Sequence, residues 1–140
     1  MTEGMLRHYL QSRYADRCIR VTSAGTTTTY QGQPPAPLVL QVISERTADG
    51  FTHQPHFVTP AEVAQADLIL VVAAEHRDWI AAHYPDAQPR TMLLSEAIGQ
   101  MFDIPDPGVQ MLDPLRRTLD LIESCVREGL DAIVVRATDA

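Results

Sequence analysis

Residues Leu68-Ile69-Leu70-Val71-Val72 form an unbroken aliphatic run opened by Asp67. An apolar run of this length between polar flanks fits a parallel β-strand buried on both faces, so a chain built around it must cover a sheet from two sides. The neighbouring segments supply that cover. Met5, Leu6, Tyr9, Leu10 and Tyr14 recur at helical spacing, and the spacing predicts a second helix from about Pro37 to Glu45. Thr59-Pro60-Ala61-Glu62 is a helix start: threonine as N-cap, proline at the first helical position, glutamate reaching back. Glu75 to Ala82 reads as a helix with Trp79 and Ile80 turned inward, and Ser95–Ile98 as a helical turn. From Asp113, Leu115, Leu119, Ile122, Val126 and Leu130 define a long last helix with Gly129 as its stop signal. Cys18–Thr22 and Thr91–Leu94 read as further strands. Strands separated by helices indicate an α/β three-layer sandwich: a central parallel sheet of about four strands flanked by helices.

The 140 residues fit one domain, 1–140, cut into short elements by ten prolines. A formal net charge of −7 and the lack of any Lys/Arg block argue against nucleic acid or an anionic membrane as partner. Hydrophobic residues at 45% against 21% charged give a soluble domain with a real core. The longest apolar run, Leu68 to Ala74, is far too short to span a bilayer. The opening Met1-Thr2-Glu3-Gly4 lacks the basic and apolar regions of a secretory signal. Cys18 and Cys125 have no metal-ligand spacing and cannot form a disulfide framework. A cytoplasmic setting is the expectation.

Several short strings then line up in order: Met1-Thr2-Glu3-Gly4 on the opening helix, Ser23-Ala24-Gly25-Thr26, Gly32-Gln33-Pro34, His56, Ala66–Val71, His76, and Asp103-Ile104-Pro105-Asp106-Pro107 before the final helix. Each is weak alone. In this order and spacing, over residues 1 to about 130, the chain resembles the low-molecular-weight phosphotyrosine protein phosphatases. The resemblance implies a family strand running into a Cys-x5-Arg loop, then a serine and a proline, ahead of a stretch similar to Met1–Gly4. The nucleophile, the phosphate-cradling amides and the arginine would all lie upstream of Met1. Neither cysteine here replaces them, since six residues beyond Cys18 is Ala24 and six beyond Cys125 is Asp131. Buried structural cysteine is the expectation for both. Without a thiolate and a donor nest for the phosphoryl group, little rate enhancement survives.

Asp106 keeps activity in question. In the family, the first aspartate of this Asp-Pro pair is the general acid that protonates the leaving phenolate. Read from its own surroundings, Asp106 with Asp103 frames a proline-rigid turn into the last helix, and that reading is favoured here. Gly108 stands where the family usually places an aromatic wall of the phosphotyrosine slot. No other constellation competes. His53, His56 and His76 have no zinc-ligand spacing, so no metal or other cofactor is expected. Thr26 to Thr29 could line a ligand edge but read better as a polar loop. The additional redox cysteines of arsenate reductases built on this fold are missing from Ala73 to Pro89.

In the family the absent strand is central, between those matching Cys18–Thr22 and Leu68–Val72. Ala132-Ile133-Val134-Val135-Arg136, with three β-branched residues in a row, is therefore predicted as a C-terminal strand that fills the vacant position. Two functions follow. The favoured one is a pseudoenzyme, a phosphatase-like binding or regulatory module whose partner is a protein or phospho-ligand, with a homodimer left open. The alternative is an active phosphatase whose catalytic segment precedes Met1, with Asp106 as general acid.

Overall fold

A computed structural model describes residues 1–27, 32–34, 36–47 and 55–138. Its helices are α1 (Thr2–Arg13), α2 (Pro37–Ser44), α3 (Pro60–Gln65), α4 (Ala74–His83) and α5 (Leu112–Thr138), and its strands are β1 (Ile69–Val71) and β2 (Thr91–Leu93). Two 3-10 turns, Pro85–Arg90 and Leu94–Ile98, flank β2. The aliphatic run does form a parallel strand. β1 pairs with β2 in the register Ile69↔Thr91, Leu70↔Met92 and Val71↔Leu93, with α4 crossing between them.

Side chains alternate across β1, as the two-residue period of a strand requires. Leu68, Leu70 and Val72 face the main core of α1, α2 and α5, where Met5, Val42, Leu115, Leu119 and Leu130 are fully enclosed. Ile69 faces a smaller core of Val63, Ile80 and Ala87, closed by Trp79 and Tyr84. The Thr59 capping box starts α3 as expected: the Glu62 N–H donates to Thr59 Oγ1 at 3.2 Å, and Glu62 Oε2 accepts the Thr59 N–H at 2.9 Å. Arg90 ties that helix to β2, donating to the carbonyls of Ala66 (2.9 Å) and Val63 (2.8 Å).

The C-terminal expectation is wrong. Residues 132–136 are not a strand; they lie inside α5, a helix of 27 residues. Gly129 does not stop it. Ile133 and Val134 extend the buried stripe of Cys125, Val126, Gly129 and Leu130 at the same spacing, so burial on a helical face overrides the β-preference of three branched residues. Gly129 serves packing instead, because a Cβ there would lie 2.5 Å from the Cβ of Ala97 in the Leu94–Ile98 turn.

The expected sheet of about four strands is not seen among the described residues. Among the described residues there are two strands and one isolated parallel bridge, Gly25↔Phe57. Cys18–Thr22 is not assigned as a strand, although burial alternates along it, with Ile19 and Val21 against the main core and Cys18, Arg20 and Thr22 outward. A ladder needs a partner. Here the Val21 carbonyl instead accepts from Arg7 Nη2 (2.7 Å) and Nε (3.2 Å) on α1. On β1, the edge away from β2 carries no strand among the described residues. At its foot a cleft of about 510 Å³ opens between Leu68, Pro89, Arg90 and Val135.

Candidate active site

The loop carrying Asp106 is anchored at the C-terminal end of β1, the edge where open α/β sheets bind ligands. Three contacts fix its root. Ser95 Oγ, buried, donates to the Phe102 carbonyl at 2.8 Å and accepts the Phe102 N–H at 3.0 Å. Asp103 Oδ1 accepts the N–H of Ala74 at 2.9 Å. That bond satisfies a first-turn donor of α4, whose N-cap Ala73 has no side chain to do so. The Ile104 N–H donates to the Val72 carbonyl at 2.8 Å, and the Ile104 side chain is buried in the main core.

Beyond Ile104 the chain returns to the surface. Asp106 is exposed, and its Oδ1 accepts the N–H of Gly108 at 3.0 Å, closing a turn between two prolines. Gly108 has φ +69°, a left-handed conformation that an aromatic residue would adopt only with strain. Asp106 closes a local turn, whereas Asp103 reaches back to the start of α4. Their division of labour was not legible, because a contact from Asp103 to Ala74, 29 residues away, leaves no local signature.

Sequence reasoning also missed Glu3. Only 6% exposed, it is held by Arg7 Nη2 at 2.7 Å and accepts from Ser23 Oγ. With the Arg7 contacts to Val21, this buried carboxylate ties α1 to the segment leading into Ser23-Ala24-Gly25-Thr26. A glutamate one position into a helix looks like an ordinary first-turn acid, so only burial distinguishes it.

The cysteines are not brought together with any of this. Cys125 is buried in α5, where burial, with a smaller contribution from Glu128, pushes its thiol up. Cys18 is exposed, contrary to the expectation of a buried cysteine, because the segment bearing it turns odd positions inward and even ones out. His56 Nε2 lies 2.5 Å from Glu62 Oε1, and His76 Nε2 lies 3.8 Å from Glu75. His53, Thr28 and Thr29 fall outside the described residues. Among the described residues no three His, Cys, Asp or Glu side chains converge to hold a metal ion. No helix among them is long and apolar enough to cross a membrane.

An α/β core with an aspartate-bearing loop at the carboxyl end of a parallel strand is an arrangement shared by many proteins, and the comparisons supply the family. The chain belongs to the low molecular weight phosphotyrosine protein phosphatase family, whose model matches residues 1–137. It is 29% identical over 136 residues to the probable low molecular weight protein-tyrosine-phosphatase EpsP of Ralstonia nicotianae, covering 97% of this chain and 85% of that protein. Vibrio vulnificus Wzb, solved in complex with benzylphosphonate, superposes with a TM-score of 0.75 at 30% identity over 89% of this chain and 85% of the other. The low molecular weight protein tyrosine phosphatase from T. tengcongensis superposes with a TM-score of 0.84 at 18% identity, covering 94% of this chain and 88% of that one.

Proposed function

We propose that this chain is the scaffold and acid component of a phosphomonoesterase of the phosphotyrosine class, completed by a strand and Cys-x5-Arg loop from polypeptide outside these 140 residues. The observation that carries the reading is the unpaired edge of β1, directly below the loop that presents Asp106. Residues 132–136, the one segment of this chain expected to fill that position, are helical. An aliphatic strand with Leu68, Leu70 and Val72 only partly covered is a strong template for pairing. The alternating burial of Cys18–Thr22 suits a second neighbour for the same incoming strand.

In this reading the incoming loop supplies the thiolate nucleophile and the amides that hold the phosphoryl oxygens. Asp106 then donates its proton to the leaving phenolate, which would otherwise depart as a poor, fully charged leaving group. Asp103 and Ile104 position it.

The second reading is a non-catalytic binding or regulatory module. It is favoured by Gly108, which leaves the family's aromatic wall unbuilt, and by the lack of any Cys-x5-Arg in residues 1–140.

The two readings part in one assay. Chain 1–140 and a version extended at its N-terminus by an apolar strand and Cys-x5-Arg loop are compared on p-nitrophenyl phosphate and a phosphotyrosine peptide. We expect no turnover by 1–140, turnover by the extended protein, and a loss of about 10²- to 10⁴-fold on Asp106→Asn with the peptide. An extended protein that melts cooperatively at a higher temperature yet hydrolyses neither substrate would leave only the module. Stabilisation of 1–140 by vanadate or tungstate would then mark a retained anion pocket.

A further inference from the structure

Four large apolar side chains are exposed among the described residues, and three lie within eleven positions: Met101 (69%), Val109 (43%) and Met111 (65%). They flank Asp106 on both sides. The loop's root is fixed by Ser95, Asp103 and the buried Ile104, and its far end by the start of α5 at Leu112. The three side chains are therefore displayed from a segment held at both ends, where scattered exposure along a coil would need no explanation. Methionine is the residue that best adapts to varied apolar partners.

The charge around them has one sign. Residues 100–113 hold Asp103, Asp106 and Asp113 and no Arg, Lys or His. Glu75, in the first turn of α4 beside the Asp103-bound Ala74, adds a fourth carboxylate with an 83% exposed side chain. Three cations on the adjoining helices are committed elsewhere or weakly placed, Arg77 among them at 3.6 Å from Glu96. Arg116 lies 3.8 Å from Asp113 but makes its 2.8 Å contact with Glu45, and His76 lies 3.8 Å from Glu75. A two-fold contact of this loop with itself in a second copy would bring these aspartates against their own equivalents, a like-charge contact that opposes such pairing.

We propose that loop 100–113 is a docking surface for the polypeptide that carries the phosphoryl group, selecting segments with aliphatic and arginine or lysine side chains beside the phosphorylated residue. The inference rests on the phosphatase reading above and adds the substrate class. Methionine and valine side chains cover the aliphatic residues, and the carboxylates pair with the cations and orient the approach.

The test separates docking from catalysis. Chain 1–140 is titrated with two fluorescent eleven-residue peptides around one tyrosine, one with Arg and Leu flanks and one with Glu and Ser flanks, each with and without phosphate. The Arg/Leu peptide should bind at least about tenfold more tightly than the Glu/Ser peptide in both forms, and Met101→Ser with Met111→Ser should remove about that factor. A rise in salt should weaken the preference. The double variant should melt at the parent's temperature, since both side chains are already in water. Equal binding of the two peptides, no binding of either, or indifference to the double variant would overturn the proposal. So would a dimer in sedimentation that the double variant dissociates, which would assign the patch to a second copy. Because the unphosphorylated peptides read the flanks alone, a failure of docking remains distinct from an absence of phosphatase activity.

Discussion

The N–H of Ile104 donates to the carbonyl of Val72 at 2.8 Å, joining residues 32 positions apart and suspending the Asp106 loop from the end of β1. That single bond continues the strand's hydrogen bonding by one step into a loop. The Ile104 side chain, sunk into the main core, keeps the joint in place.

Replacing Ile104 by Ala should cost about 2–4 kcal/mol, the usual range for emptying a buried aliphatic site. Urea unfolding reads the stability. The same variant should become cleavable between residues 105 and 111 under limited proteolysis, while an unchanged cleavage pattern would show that the loop does not depend on this anchor.

Gly129 packs directly on Ala97, and Gly129→Ala places a methyl 2.5 Å from the Ala97 Cβ. The helix preference of alanine favours the substitution by up to about 1 kcal/mol. Overpacking of this kind costs about 1–3 kcal/mol, so the net change is expected to be destabilising. Adding Ala97→Gly should return part of the loss, a non-additivity that a double-mutant cycle measures directly.

Acid should unfold this protein through a few identifiable carboxylates. Burial alone would raise Glu123, but hydrogen bonds from Arg46 and Tyr9 and the charge of Arg46 outweigh it, and its carboxyl is held low. The hydrogen bond from Arg116 does the same for exposed Glu45. At Glu62 burial raises the carboxyl, but hydrogen bonds from the Thr59 backbone and from His56 more than offset it, so it too is held low. Each folded value lies below its unfolded one, so the stability is present above the ordinary carboxylate value of about 4.3 and is lost as pH falls through the folded values. Thermal melts from pH 7 to pH 3 should show Tm falling below about pH 4.5. Glu123→Gln should lower Tm at neutral pH and flatten that acid limb.

The two thiols should separate cleanly. Under native conditions one equivalent of dithionitrobenzoate should react at exposed Cys18, and Cys125 should respond only on unfolding. Cys18→Ser should abolish the fast phase. Two fast thiols would contradict the burial of Cys125 within α5.

What was legible in the sequence was local. The Thr59–Glu62 capping box, the aliphatic run at 68–72 and the start of the last helix each carry their cause within a few residues, and each formed as expected. The long-range partners were not legible. Ile133-Val134-Val135 looks like a strand in isolation, but its fate is set by the continuing buried face of α5. Cys18–Thr22 has a strand's alternation and lacks a strand's partner, a condition no window of its own sequence records. At the site, Asp106 was visible as part of an Asp-Pro pair, whereas Glu3 and Asp103 acquire their roles only from Arg7, Ser23 and Ala74.

The pairing of α1 with α5 has a consequence for the order of assembly. Tyr9 bonds Glu123 at 2.7 Å and Arg13 bonds the Arg127 carbonyl at 2.9 Å, each across 114 positions of chain. On a ribosome α1 must wait for the 114 positions that separate these partners before its apolar face is covered. Contacts of such sequence separation fold slowly and leave exposed surface in the interim. Protease resistance should therefore appear in one step, and only once α5 is available to α1.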